Sequence, residues 1–252
     1  MKTTLLTGAA LAALSIPALA ADMPVKAPRM AVPAFTWTSC FLGAHAGGGW
    51  TKHDISDPVQ LVQDSLGLTT TGVTTTSINP SGAVIGGQFG CDYQFAPNWV
   101  IGVEGAASGS TMKGSNSVLL PASAPNTALV TARTDFLASA TARFGYAIDH
   151  WLLFARGGAA WAGNKYSVTG TAGGAPFGFE GLDSRPGWTV GAGIAWAFAT
   201  NWSAALEYDY YGFGTRTVSL TDTVNGGVSP LGIKQSAQTV KIGVNFHMWG
   251  GQ

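Results

Sequence analysis

The stretch IGGQFGCDYQFAPNWVIGVEG, residues 85–105, decides the fold. Ile85, Phe89, Tyr93 and Phe95 alternate with Gly86, Gln88, Gly90, Asp92 and Gln94; past the Ala96-Pro97-Asn98 break, Trp99, Ile101 and Val103 alternate with Gly102 and Glu104. A period of two with one apolar and one polar face marks a β-strand. The segment therefore reads as strand, tight turn, strand, and the same unit returns twice. Trp99, Trp151 and Trp202 lie 52 and 51 residues apart, each behind a short polar break (Ala96-Pro97-Asn98, Ile148-Asp149-His150, Thr200-Asn201). An aromatic pair precedes each tryptophan (Tyr93 and Phe95, Phe144 and Tyr146, Trp196 and Phe198). Five residues after each stands an ionisable side chain: Glu104, Arg156 and Glu207.

Period-two alternation continues at Phe136 to Phe144, Trp188 to Trp196 and Val240 to Phe246. With Cys40 to Trp50, Trp151 to Trp161 and Trp202 to Gly212 it gives about eight strands, the low end for a membrane barrel. Short turns join strands two to three, four to five and six to seven, whereas segments near residues 51–80, 111–133, 165–184 and 215–235 read as long loops. Short periplasmic turns opposite long extracellular loops are the asymmetry of an outer-membrane barrel. Tyr93, Phe95, Trp99, Phe144, Tyr146, Trp151, Trp196, Phe198 and Trp202 all fall beside the short turns, which predicts an aromatic girdle at one membrane interface.

Composition separates this reading from a soluble barrel. Charged residues are 10% of the 252, and 35 are glycine; a soluble exterior needs more charge than that. Glycine, serine and threonine with a few ions on the polar face suit a narrow interior instead. Thirteen basic against thirteen acidic residues leave no field for a nucleic acid. In hydrocarbon an unclosed sheet would leave edge groups unpaired at several kcal/mol each, so the last strand must pair with the first. The expected fold is all-β: a closed eight-stranded antiparallel transmembrane β-barrel over residues 37–252. Residues 1–20, with Lys2, an apolar run and Ala18-Leu19-Ala20, read as a cleaved secretory signal. Residues 21–36, with three prolines, read as an extended periplasmic arm.

The segments ADMPVKAP, TWTSCFLGAHAGGGW, IGGQFGCDYQFAPNWVIGVEG and VKIGVNF resemble the alphaproteobacterial outer-membrane immunogenic proteins, catalogued among porin-family β-barrels, over nearly all the mature chain. The resemblance implies an OmpA-type transmembrane barrel, abundant in the outer membrane and exposed as a surface antigen. Such barrels commonly finish on an aromatic. Here HMWGGQ follows Phe246, so Phe246, with Trp249 as the alternative, takes the place of the C-terminal assembly signal read by the barrel-assembly machinery.

Strand parity collects Asp92, Glu104, Glu207 and Asp209 with Arg143, Arg156 and Lys241 inside the barrel, along with His45 and His247. Ions in so confined a space must pair, and eight strands leave an interior that side chains can fill. The expected role is therefore structural and surface-interacting, with a polar plug. The alternative is that the same residues line a narrow channel for small hydrophilic solutes. Cys40 and Cys91 share the lipid-facing parity on neighbouring strand ends, consistent with a cross-strand disulfide or with two small apolar residues. GxSxG is absent and no histidine sits in a nucleophile motif, so no enzyme activity is expected, and no cofactor. His53, Asp54 and Asp57 offer a weaker reading as a metal or haem site in the first long loop, against solvated loop residues. The expected partners are outer-membrane lipid and an extracellular partner that the loops do not specify.

Overall fold

The computed structural model describes residues 35–56, 75–119, 127–172, 174–224 and 226–249. Its strands are β1 (Ser39–Ser56), β2 (Thr75–Ile78), β3 (Ser81–Gln94), β4 (Trp99–Leu119), β5 (Thr127–Ile148), β6 (Trp151–Ala172), β7 (Ala175–Ala199), β8 (Trp202–Asp222) and β9 (Val228–His247). β2 continues β3 past Asn79-Pro80: it pairs with the far end of β1, from His53↔Ile78 to Ser56↔Thr75, while β3 takes the near end, from Ser39↔Asp92 to Trp50↔Ser81. The wall is thus eight strands wide. It closes where β1 also pairs with β9, from Phe41↔His247 to Ser56↔Gly232. The expected signal segment, and the arm up to residue 34, lie outside the described residues. Phe35, at the end of that arm, packs its ring 5.2 Å from Trp37 and 5.1 Å from His150.

Side chains follow strand parity. Along β6, Leu152, Phe154, Arg156, Ala160, Ala162 and Tyr166 are buried inside, while Trp151, Leu153 and Trp161 are exposed on the outer wall. The nine aromatics beside the short turns are all exposed, as is Phe246, whose ring lies 5.2 Å from Trp202. A second set of exposed aromatics, Trp50, Phe136, Trp161, Trp188 and Tyr208, stands near the opposite end. Trp151 and Trp161 are 10 residues apart on one strand, about 33 Å at 3.3 Å per residue and about 25 Å along the axis at the usual tilt. That matches the lipid-facing band of an outer-membrane barrel. Cys40 and Cys91 are cross-strand partners on the lipid face and form a disulfide.

Three of the four segments read as long loops are mostly strand, and in the first, strand covers 51–56 and 75–78 among the described residues. β4 runs to Leu119 and β5 begins at Thr127; β6 and β7 meet near Gly174, and β8 and β9 near Asp222 to Gly227. The barrel therefore continues as paired hairpins well beyond the second girdle. These extensions stay ordered because their threonines and serines alternate with inward apolar residues. Ile55, Val130, Val168, Phe179, Leu220 and Ile233 belong to one buried cluster inside the extension.

At the seam the two strands approach closely. Gly47, facing inward on β1, lies against the Val240 carbonyl and Lys241 backbone of β9, so a β-carbon there would strike main chain; outward Gly48 has open space. Gly47→Ala should destabilise the barrel by about 1–3 kcal/mol through overpacking at the seam, and Gly48→Ala should not. Urea unfolding followed by the shift in migration between unheated and boiled samples measures both; equal midpoints for the two variants would contradict this seam.

Candidate functional site

The ionisable residues five positions after each repeat tryptophan meet inside the barrel. Arg156, on β6, is their hub. Its Nε donates to Asp209 Oδ1 at 2.8 Å, and its Nη2 donates to Asp209 Oδ2 at 2.6 Å and Glu207 Oε2 at 2.8 Å. Its Nη1 donates to Glu104. Glu104 comes from β4 and Glu207 from β8, so the three equivalent positions of the repeat form one ion cluster. Lys241, the cross-strand partner of Glu207, places Nζ 3.0 Å from Asp209 and 3.6 Å from Glu207. Arg143, directly opposite Arg156 on the neighbouring strand, reaches Glu104 at 3.3 Å and Asp92 at 3.4 Å. Glu104 thus lies between two guanidiniums that would otherwise repel. The Arg143 guanidinium also stacks over the Phe154 ring at 4.0 Å.

Local sequence makes room for this cluster. Asp92 and Asp209 are each paired with a glycine, Gly102 and Gly191, and their carboxylates lie where a β-carbon would stand. The short acids lie flat against bare backbone and leave the axis to the long cations. All seven side chains, Asp92, Glu104, Arg143, Arg156, Glu207, Asp209 and Lys241, are at least nine-tenths buried.

A neutral network adjoins it. His45 Nδ1 lies 2.8 Å from Gln88 Oε1 and Nε2 2.7 Å from Ser108 Oγ. Gln88 donates in turn to Asn245 at 2.7 Å. Since Gln88 presents an acceptor, the ring carries its proton on Nδ1 and accepts the Ser108 hydroxyl at Nε2. At the periplasmic end His247 sits between Ser39 and Ser203, at 3.1 and 2.9 Å, a pair of contacts that strand parity alone did not single out. Trp37 lies 6.0 Å from the His247 ring and joins Val100, Leu152, Phe154 and Ala197 in an apolar layer across that mouth. On the other side of the ions lies a second apolar layer around Val84, Met112, Leu137, Tyr211 and Phe213.

The proposed ligands of the first loop are not brought together. His53 is fully buried inside the extension, with Nδ1 3.1 Å from the Tyr166 hydroxyl. Asp54 points outward, where Ser77 donates to it at 2.6 Å and Lys52 lies 3.5 Å away. The strand itself separates them, and Asp57 lies outside the described residues. Burial foremost, then the Arg185 guanidinium, hold His53, beyond the second girdle, at about 3. Arg185 was missed in the sequence: it is fully buried, ion-paired to Asp183, and donates to the Ile233 carbonyl at 3.1 Å. It lies between the segment read as a loop, which ends at residue 184, and the alternation that begins at Trp188.

Known proteins resemble this chain in sequence or in fold. The chain is 29% identical over 258 residues to the 31 kDa outer-membrane immunogenic protein of Brucella melitensis biotype 1, covering 98% of this chain and 99% of that protein. It is 26% identical over 255 residues to the 25 kDa outer-membrane immunogenic protein of Brucella abortus biovar 1, covering 98% of each. Among solved structures it is similar to the outer membrane protease OmpT of Escherichia coli, with a TM-score of 0.50 and 10% identity, covering 85% of this chain and 98% of that one; this likeness is one of fold. The outer membrane protein beta-barrel domain family matches residues 6–247. Closed wall, lipid-facing aromatics and family match agree, and the chain belongs to the outer membrane protein beta-barrel domain family.

Proposed function

We propose that this protein is a plugged structural barrel that reinforces the outer membrane and presents its long hairpins outside, neither conducting solutes nor catalysing a reaction. The observation that carries this reading is the layered filling of the lumen. An apolar layer at Trp37 and Phe154, the Arg156 ion cluster, an apolar layer at Met112 and Phe213, and the apolar cluster of the extension follow one another along the axis. A solute would have to separate ions and part apolar side chains in turn. Against a serine–histidine mechanism at His247, both of its ring nitrogens are engaged by serine hydroxyls. No ring nitrogen remains for the carboxylate that would orient a general base. Phe246, exposed beside Trp202 at the periplasmic girdle, is the aromatic we assign to recognition by the barrel-assembly machinery.

In planar bilayers the protein should give no steady open level, and liposomes carrying it should swell in arabinose no faster than empty ones. A stable large conductance would favour the channel instead. Arg156→Ala should cost about 3–5 kcal/mol of barrel stability, because it strands buried carboxylates, whereas Arg216→Ala on the exposed hairpin should stay within about 0.5 kcal/mol. Urea midpoints compare the two; matching values would remove the ion cluster from the account of stability.

A further inference from the structure

We infer that the outer wall just beyond the extracellular girdle is a binding surface for a phosphate-bearing lipid of the outer leaflet, centred on Lys113, Arg133 and Lys165. These three residues are direct cross-strand partners on β4, β5 and β6: Lys113 pairs with Arg133, and Arg133 with Lys165. All three are exposed on the outer face. Cross-strand partners on one face stand about 5 Å apart, where like charges destabilise a sheet. Three cations therefore occupy a row about 10 Å long at a cost to the fold.

The fold offers only partial compensation. Asp135 pairs with Arg133, and Glu180 lies 3.8 Å from Lys165; among the described residues Lys113 has no carboxylate within ion-pair distance. One positive charge is left over in the row. The wider pattern points the same way. Among the described residues every exposed cation, Lys52, Lys113, Arg133, Lys165, Arg216 and Lys234, lies beyond the extracellular girdle, against three outward-facing carboxylates there, Asp54, Asp135 and Glu180. None lies between the girdles or at the periplasmic turns.

Position selects the occupant. Trp161 lies four residues from Lys165 on β6, and Phe136 follows Arg133 on β5 past the Thr134/Phe136 irregularity. The row thus stands at the upper rim of the apolar wall, about 10 Å along the axis from the aromatics, at the level of lipid headgroups. Long basic side chains at that level reach anionic groups while their stems cover apolar surface. An anion bound there has hydrocarbon beneath it, which suits a phosphorylated lipid whose tails lie along the barrel. The surface is on the outside of the wall, so it stands or falls independently of whether the lumen conducts.

The test compares wild type, the triple variant K113Q/R133Q/K165Q and the control triple K52Q/R216Q/K234Q, each refolded into phosphatidylcholine nanodiscs containing graded amounts of bisphosphorylated lipid A. Migration of unheated samples checks that each is folded, and native mass spectrometry of the released barrel counts bound lipid A. Each basic side chain near an anionic surface is worth about a fivefold factor, so the row variant should bind roughly a hundredfold more weakly than wild type, with the control weakened far less. Dephosphorylated lipid A should bind wild type and row variant alike, and weakly. Retention of lipid A by the row variant to within about threefold, or equal binding of both lipid forms by wild type, overturns the proposal. So does capture of soluble heparin by the row without lipid A, which would make the surface a polysaccharide site.

Discussion

The pairing of β1 with β9 is the constraint from which the remaining features follow. In hydrocarbon an unpaired strand edge has no water to satisfy it, so the sheet must close, and with eight strands it closes tightly. Tight closure explains the glycines at inward positions. Gly47 meets main chain across the seam, and Gly102 and Gly191 yield their side-chain space to Asp92 and Asp209. It also leaves an interior narrow enough for the chain's own side chains to reach across it.

What fills it is layered. A buried guanidinium is costly unless carboxylates pair with it, and Arg156 is paired with three of them from β4 and β8. Lys241 and Arg143 then neutralise those same carboxylates from the other side. No single pair in this cluster stands alone, so its energetics belong to the group. The apolar layers on either side exclude water and raise the strength of each ion contact. They also raise the penalty for breaking one.

Much of this was legible in residues 85–105, because period-two alternation states which side chains share a face, and an outer-membrane barrel has only two faces. The periplasmic girdle was legible because its aromatics flank turns that recur at nearly equal intervals. The extracellular girdle was not, since Trp50, Phe136, Trp161, Trp188 and Tyr208 lie at unequal distances from the hairpin ends. The extensions beyond it were read as loops for a related reason. Threonine, serine and glycine are as common in turns as on the outer face of a strand, and only the inward partners, such as Leu231 and Ile233 against Val218 and Leu220, reveal the pairing. His53 looked like a loop residue until β1 was seen to carry it past Trp50 into the interior. Arg185 and Trp37 became visible as buried groups only once the opposite wall was in place.

The repeat itself explains why ions, rather than more leucine, occupy the middle of the barrel. A well-packed apolar core would be as stable as a buried ion cluster, or more so. It would, however, leave each strand greasy on both faces and indifferent to register. Glu104, Arg156 and Glu207 stand five residues from their turn tryptophans, and a slip by one residue would carry each of them onto the lipid face. For Arg156 near the midplane that error costs about 2–4 kcal/mol, on top of the lost contacts to Glu104, Glu207 and Asp209. The same slip would turn the girdle tryptophans inward. Aromatics at the interface and ions at the axis therefore enforce one register from both sides of the wall, so that the charges specify the barrel more than they stabilise it.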